Sequence, residues 1–460
     1  MNPMPPTDGP AGKMKPDIFM ISLGCPRNLV DSEVLAGRLK KKGFRIIDEA
    51  GKNCVAIVNT CAFVEAAKNE SIDIILQLAA LKADGNIARL IVTGCLSQRY
   101  PRELPLEIKE IDGLFGTGNF LEIPDRIENI INGEKVVRTV KVPRFLYDHT
   151  DERLMMTPRH SVYVKIQEGC RNFCSYCVIP ELRGPYRSRD EESVLSEIRS
   201  FKRRGAKEIN IIGQDTTSYG TDRHGSMPLA GLLKKAAQIM KKRGWIRLLY
   251  THPAHYSPEL ISVVRDEDAV CKYLDLPIQH INSRILKRMN RHVNRKDIVS
   301  LIEKVRKAIP GVAIRATVIV GFPGETAKDF AELEKFISEM KFERLGAFTY
   351  SREEGSRAFL FPDQLPEKVK EERFARIMKL QNGISEENNR RHMGRRLKVL
   401  IDEKDKSRKD QYLARTEFDA PEVDGLVYVR SESPLRAGDF TEVRIEDTLE
   451  YDLVGSVINE

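Results

Sequence analysis

From Asp17 to Thr93, apolar and β-branched runs alternate with longer stretches whose apolar residues recur at helical spacing. Asp17–Ser22, Val55–Thr60 and Arg89–Thr93 read as strands; helices are expected from about Asn28 to Lys42 and from past Cys61 to about Leu81. Apolar strands joined by helical crossovers predict an open parallel α/β sheet over residues 16–130. Residues 121–155 read as a connector ending in the charged run Asp148–Arg153, with the linker proper at 131–155. A second α/β series follows. Its strands are expected at Ser161–Ile166, Glu208–Ile212, Ile246–Tyr250, Tyr273–Leu276, Ile314–Val320 and Leu345–Tyr350, with helices near 191–204, 227–243, 295–308 and 326–340. Six such units predict a partial (β/α)6 TIM-like barrel, placed with a charged bridging helix at 156–388. After Gly394 the pattern shortens to Leu397–Ile401, Tyr412–Arg415, Leu426–Val429, Phe440–Ile445 and Leu453–Val457, with turn signals at Asp424-Gly425 and Gly438-Asp439. Five short strands predict a small antiparallel β-barrel over 389–460, a common shape for a recognition module. Residues 1–15 are rich in Pro, Gly and Met, lack an apolar segment, and read as a disordered tail rather than a signal peptide.

A length of 460 residues suits three domains at about 150 residues each. No apolar run approaches the roughly 18 residues of a membrane span. A cytoplasmic location without a membrane partner is therefore expected, and cysteines there at motif spacing mean metal or redox chemistry.

Two sets of cysteines stand out among the eight in the chain. Cys170, Cys174 and Cys177 are spaced C-x3-C-x2-C within Glu168-Gly169-Cys170-Arg171-Asn172-Phe173-Cys174-Ser175-Tyr176-Cys177. Three thiolates can hold three corners of a 4Fe–4S cubane, which normally takes four. With no fourth cysteine nearby, one iron stays open to chelate S-adenosylmethionine by its amino and carboxylate groups. A structural zinc site wants four closed ligands, and a disulfide cluster wants an oxidising compartment. The second set, Cys25, Cys61 and Cys95, follows the carboxyl ends of the three N-terminal strands, the edge where open α/β sheets place their sites. The three could converge on one point, or could be separate small buried residues. Cys54 and Cys271 read as packing residues. At the barrel mouth, Gly213-Gln214-Asp215, Thr251-His252-Pro253, Gln279-His280 and Gly321-Phe322-Pro323-Gly324-Glu325 follow successive strands. The G-x-x-G loop reads equally as a ligand loop or a plain turn. At least two of His252, His255 and His280 are expected to be structural.

Charge divides unevenly. The chain carries a formal +8, yet Gln411–Glu460 holds four Arg and no Lys against twelve Asp and Glu. Such an acidic module would repel RNA phosphates and suit a basic protein partner, or it is an ordinary solvated surface.

Taken together, the segments resemble the methylthiotransferase family of radical-SAM enzymes, with an N-terminal three-cysteine domain, a radical-SAM core and a C-terminal TRAM domain. The resemblance spans about residues 16–460. It is carried by the cluster motif with Tyr176 and by Ser22-Leu23-Gly24-Cys25-Pro26-Arg27-Asn28-Leu29-Val30-Asp31-Ser32-Glu33. Gln214-Asp215-Thr216 with Tyr219-Gly220, Pro277-Ile278-Gln279-His280-Ile281-Asn282 and Phe418-Asp419-Ala420-Pro421-Glu422-Val423-Asp424-Gly425 add to it. The resemblance implies two 4Fe–4S clusters, one on Cys25, Cys61 and Cys95 and one on Cys170, Cys174 and Cys177. It also implies S-adenosylmethionine held by Tyr176, Gln214 and Arg187, and assigns no catalytic side chain beyond the cluster ligands. The family inserts a methylthio group into an unactivated C–H bond, one S-adenosylmethionine methylating sulfur and another yielding the radical that removes the substrate hydrogen. A sulfur donor and an electron donor are implied partners. The motifs match the branch acting on the β-carbon of an aspartate in small-subunit ribosomal protein twelve; the alternative is the branch acting on a tRNA adenosine beside the anticodon. A non-catalytic iron–sulfur electron carrier is the different-class rival.

Overall fold

The computed structural model describes residues 15–224, 228–241 and 244–458. The tail expected at 1–15 lies, but for Lys15, outside the described residues, as do the ends of the helix expected over 227–243. The chain divides into two compact units: residues 1–62, 66–141 and 151–154, and the remainder.

The first unit is a six-stranded parallel sheet. Its strand order is Ile46–Ile47, Ile18–Ser22, Val55–Thr60, Arg89–Gly94, Gly113–Phe115 and Val136–Arg138. Val55–Thr60 is buried throughout, as a central strand covered on both faces must be. The stretch 121–155 is more than the connector expected from its composition. It supplies the helix Ile123–Ile131 and the sixth strand, so the sheet continues past residue 130. The end of the charged run folds back on the helix Pro26–Lys41. Arg153 pairs with buried Glu33, Arg38 with Asp151, and Leu154 N–H donates to the Glu33 carbonyl at 3.0 Å. Gly37 admits this strap, because a Cβ there would lie 1.9 Å from the Glu152 carbonyl oxygen.

In the second unit, six parallel strands form two sheets of three. Glu208–Ile212 lies between Trp245–Leu248 and Ser161–Lys165, and Ala313–Val320 between Tyr273–Gln279 and Arg344–Thr349. The halves are stitched where Cys271 N–H donates to the Ile246 carbonyl at 2.9 Å, so the buried Cys271 packs in the barrel seam. This is the partial (β/α)6 barrel. The helix Glu367–Arg390, expected as a bridge, belongs to its wall: Ile377 and Ile384 are buried in the barrel core, and Gln381 donates to the Phe342 carbonyl at 3.0 Å.

The C-terminal strands close into a barrel in the order Arg396–Lys404, Gln411–Thr416, Val427–Arg430, Leu453–Val457 and Phe440–Thr448. Val399, Ile401, Val427, Val429, Val443 and Ile445 fill it from alternate positions. It is not purely antiparallel, since Val427–Arg430 runs parallel to Leu453–Val457. The chain crosses over between them through Phe440–Thr448 instead of turning back as a hairpin.

This small barrel sits beneath the larger one, against the amino ends of its strands. Arg415 pairs with Glu208 at 2.8 Å, and Arg247 reaches Glu208 at 3.0 Å, all three buried. Asp419 pairs with Arg344, Asp424 accepts from the Tyr273 hydroxyl at 2.7 Å and meets Arg315 at 3.3 Å, and Asp402 holds His160 at 3.0 Å. The side chain of Trp245 meets Phe440 edge-on, ring centroids 4.9 Å apart. The acidic segment therefore reads differently in three dimensions. Glu417, Asp419 and Asp424 serve contacts inside the chain. The window starting at Gln411 also cuts the barrel after its first strand; over 393–458 there are eleven Lys and Arg against fifteen Asp and Glu, a net of −4 rather than −8.

Candidate active site

Just past the barrel's first strand, Gln167–Glu168 pairs antiparallel with Arg187–Ser188 and pinches off the loop between them. Gly169 makes the pinch possible. Its φ is +76°, and a Cβ would come within 2.2 Å of the Pro185 carbonyl oxygen, so only glycine fits. Cys170, Cys174 and Cys177 follow, all partly buried, with Cys177 N–H donating to the Cys174 carbonyl at 3.1 Å. Burial pushes the Cys170 thiol up to about 11, and the neighbouring Asp215 and Cys174 add to the shift. Tyr176 is likewise raised, first by burial and then by Cys174 and Cys177, so the three sulfurs share one neighbourhood. Arg291 donates to Cys174 Sγ at 3.6 Å, setting a cation beside a group that must ionise to bind iron.

Polar side chains from the next strands gather around this loop. Asn172 donates to Asp215 at 2.8 Å, and Asp215 also accepts from Thr217 and Ser218 and meets His255 Nδ1 at 2.9 Å. Glu168 lies 2.6 Å from Lys165 and 3.4 Å from Arg183; burial alone would raise its carboxyl, but these cations outweigh it and hold it well below the usual range. Gln214 donates to Glu168, and its Oε1 is buried without a partner among the described residues. Both amide atoms of Gln167 and Nε2 of His252 are orphaned in the same way. Buried polar atoms are nearly always satisfied. These orphans at the strand carboxyl ends fit a polar cofactor such as the amino-acid end of S-adenosylmethionine.

Of the three residues expected to hold that cofactor, Tyr176 and Gln214 lie at this mouth. Arg187 is differently engaged: its Nη atoms donate to the carbonyls of Pro185, Phe145 and Arg183, leaving Nε buried and without a partner among the described residues. Its charge still bears on Glu168 across the short ladder. Burial keeps His252 and His280 neutral, and each caps a turn, accepting from Ala254 N–H and Asn282 N–H. The Gly321–Glu325 loop is organised by Glu325, which accepts from Gly321 N–H at 2.8 Å and pairs with Arg373 at 2.6 Å. Sequence reasoning assigned no role to Glu168, Asp215, Gln167, Asn172 or Arg291. Glu168, Asp215 and Asn172 lie within motifs already singled out; Gln167, just before the cluster motif, and Arg291, beyond the helix Ser283–Arg288, carried no local signal.

The N-terminal cysteines also converge. Cys25 caps the helix Pro26–Lys41, and Cys95 opens the helix Cys95–Arg99. A Cβ on Gly24, whose φ is +85°, would fall 2.5 Å from Cys61 Cβ. Asn28 ties the group together, donating to the carbonyls of Leu23 and Thr60 at 3.0 and 2.9 Å and accepting a 3.9 Å contact from Cys95 Sγ. Arg27 Nε donates to Cys25 Sγ at 3.4 Å. Among the described residues no three His, Cys, Asp or Glu are grouped as a single metal ion would need. A cubane asks for a wider arrangement, since each cysteine binds a different iron.

Comparison with known proteins gives this architecture a class. The chain matches the Radical SAM superfamily over residues 164–337, the uncharacterized protein family UPF0004 over 17–116 and the TRAM domain over 393–458. Its fold resembles a radical S-adenosylmethionine methyltransferase, TsrM from Kitasatospora setae, with a TM-score of 0.55 at 16% identity, covering 73% of this chain and 75% of that one. It is thus a three-part radical-SAM protein of methylthiotransferase type. The chain belongs to the RimO family. It is 46% identical over 445 residues to the ribosomal protein uS12 methylthiotransferase RimO of Geobacter sulfurreducens, covering 97% of this chain and 99% of that protein. The Desulfitobacterium hafniense protein of the same name is 43% identical over 442 residues, covering 96% and 98%.

Proposed function

We propose that this chain adds a methylthio group to the β-carbon of an aspartate in small-subunit ribosomal protein uS12. The observation that carries the reading is the identity with uS12 methylthiotransferases across nearly the whole chain, all three segments included. The tRNA alternative is not favoured by these relatives. In this reading Cys170, Cys174 and Cys177 hold the radical 4Fe–4S cluster, and Cys25, Cys61 and Cys95 the second. When bound, the clusters and S-adenosylmethionine supply hydrogen-atom abstraction and a methylated sulfur.

The chain's own residues would prepare the site. Arg291 holds Cys174 by donating to its Sγ, and Asp215 fixes the cluster loop through Asn172. Gln214, Gln167 and the Tyr176 ring offer polar and aromatic contacts to S-adenosylmethionine, while Arg187 acts through its charge beside Glu168. A sulfur donor and an electron donor complete the set of partners, and the cytoplasm is the compartment. Among the described residues no helix is long and apolar enough to cross a membrane.

The test is anaerobic reconstitution with iron and sulfide, then reaction with S-adenosylmethionine, a reductant and uS12 or tRNA, read by mass spectrometry. A methylthio group on an aspartate of uS12 is the expected product. Modification of a tRNA adenosine with none on the protein would overturn the assignment, and absence of 5′-deoxyadenosine would return the chain to the electron-carrier class.

A further inference from the structure

At the end of the large barrel remote from the cysteine loop, an open cavity of 110 Å³ has no part in the proposed chemistry. It lies where the amino ends of Ala313–Val320 and Arg344–Thr349 meet the last turn of the helix Glu367–Arg390. Glu343, Asn388, His392 and Phe418 line it, and of these only Phe418 comes from the small barrel. Gly311 leaves the rim open, since a Cβ there would meet nothing within 4 Å. A drug-sized ligand takes about 300 Å³ or more. This cavity has room for the head group of one side chain.

The walls call for a donor. Asn388, only 5% exposed, donates through Nδ2 to the Lys341 and Phe342 carbonyls at 3.3 and 3.2 Å, which fixes its amide orientation. Its Oδ1 is buried without a partner among the described residues, a loss of about 1–3 kcal/mol if nothing meets it. Glu343 accepts from Ile314 N–H at 2.9 Å and from Arg306 at 3.2 Å, which leaves Oε1 capacity for a further donor. Arg344 also faces the cavity, but Asp419 answers its charge through Nε at 2.9 Å. The His392 and Phe418 rings stack at 5.9 Å and 26° into a flat wall. Burial lowers the His392 pKa and keeps that ring neutral. Asn389 joins the cavity to a turn of the small barrel, donating to the Leu449 and Glu450 carbonyls at 3.2 and 3.3 Å. Residues 446–452 of that turn hold four acids and no base, with Leu449 and Tyr451 exposed among them. On the other side Arg390 and Arg391 pair with Glu386 and Glu387, and Arg395 is the further exposed base.

We infer that this cavity receives an arginine side chain of the basic protein substrate, its guanidinium lying on the aromatic wall and donating to Asn388 Oδ1 and Glu343 Oε1. A planar cation with five donors uses both the wall and the acceptors, whereas a lysine ammonium is a point charge. A phosphate backbone would meet acceptors and acids here. The inference rests on the proposed reaction with uS12 and gives it an anchor away from the chemistry. Ala313–Val320 has eight residues, so the anchor stands roughly 26 Å below the strand carboxyl ends at about 3.3 Å per residue. Binding that far from the reacting carbon is the same in ground and transition states, so it acts on KM and not on kcat.

Glu343→Gln, which keeps an acceptor for Ile314 N–H, and His392→Ala are assayed in the full reconstituted chain with uS12, and calorimetry measures uS12 binding. Each variant is expected to raise KM and weaken binding about tenfold, the scale of an interface anchor, at a kcat that certifies the fold. Each arginine of uS12 is then changed to lysine in turn. One such substrate should reproduce the rise with the parent enzyme and add nothing further with Glu343→Gln, as groups in contact do. Unchanged KM in both variants, a fall in kcat alone, or no coupled arginine would overturn the inference. If uS12 is methylthiolated and neither variant moves KM, the anchor fails and the reaction stands. If uS12 binds the parent, binds both variants more weakly and is not modified, the anchor stands and the reaction fails. If uS12 neither binds nor is modified, both fall.

Discussion

Beneath the radical barrel, one carboxylate holds two buried guanidiniums. Glu208 accepts from Arg415 Nη2 at 2.8 Å, Arg247 Nε at 3.0 Å and Ser161 Oγ at 2.8 Å, and is itself fully buried. Glu208→Gln keeps the volume, so no cavity opens, but it leaves two buried positive charges without their shared counter-ion. Breaking such a pair typically costs about 3–5 kcal/mol. Arg415 retains Asp402 at 2.7 Å, and Arg247 retains the Glu417 carbonyl at 2.8 Å. These remaining partners place the expected loss at the low end, about 3 kcal/mol. The reporter is built in. Trp245 is the single tryptophan of the chain and lies edge-on to Phe440 of the small barrel, so its emission follows undocking. With urea slopes of about 1–3 kcal/mol per molar, the tryptophan midpoint should fall by about 1–3 M. The exposed Glu432→Gln should leave it in place. A Glu208→Gln midpoint equal to that of the parent would refute the claim that this ionic cluster holds the two barrels together.

Three further outcomes are expected. The pair of guanidiniums outweighs burial and depresses Glu208 to about 2. A lowered carboxyl contributes stability that is complete above about 4.5 and lost as pH falls toward 2, so the tryptophan midpoint should decline through that window in the parent and stay flatter in Glu208→Gln. Cys174→Ala and Cys61→Ala should each bind about half the iron of the parent on reconstitution, measured by iron analysis, because each removes a ligand from a different cubane. Gly24→Ala sets a Cβ 2.5 Å from Cys61 Cβ and should also halve the iron, whereas Gly85→Ala meets nothing within 4 Å and should cost only the roughly 1 kcal/mol of a left-handed backbone.

Much of this was legible in the sequence because the signals were local. Val55–Thr60 and Glu208–Ile212 are observed with their expected bounds, since continuous β-branched runs in a parallel sheet leave little ambiguity. The placement of Cys25, Cys61 and Cys95 was legible likewise, since each comes within three residues of the carboxyl end of its strand, at one edge of a parallel sheet. What the sequence hid was long-range. Val136–Arg138 has one buried residue and two exposed ones, so nothing in its composition marks a sixth strand. Net charge misled because it counts Asp419 and Asp424 as surface when Arg344 and Arg315, far away in sequence, have taken them inside. Arg187 stands close to the cluster loop as expected, but its donors had been committed to backbone carbonyls that no local pattern reveals.

Placing the small barrel under the amino ends of the strands, with the cysteine loop above their carboxyl ends, sets a distance. Strands of five to eight residues, such as Glu208–Ile212 and Ala313–Val320, stand roughly 17–26 Å tall at about 3.3 Å per residue. A partner that grips the lower barrel and offers a carbon to the upper opening must bridge at least that height. The second unit is thereby a calliper: a bare tripeptide reaches one jaw, and only an object with breadth of its own can touch both.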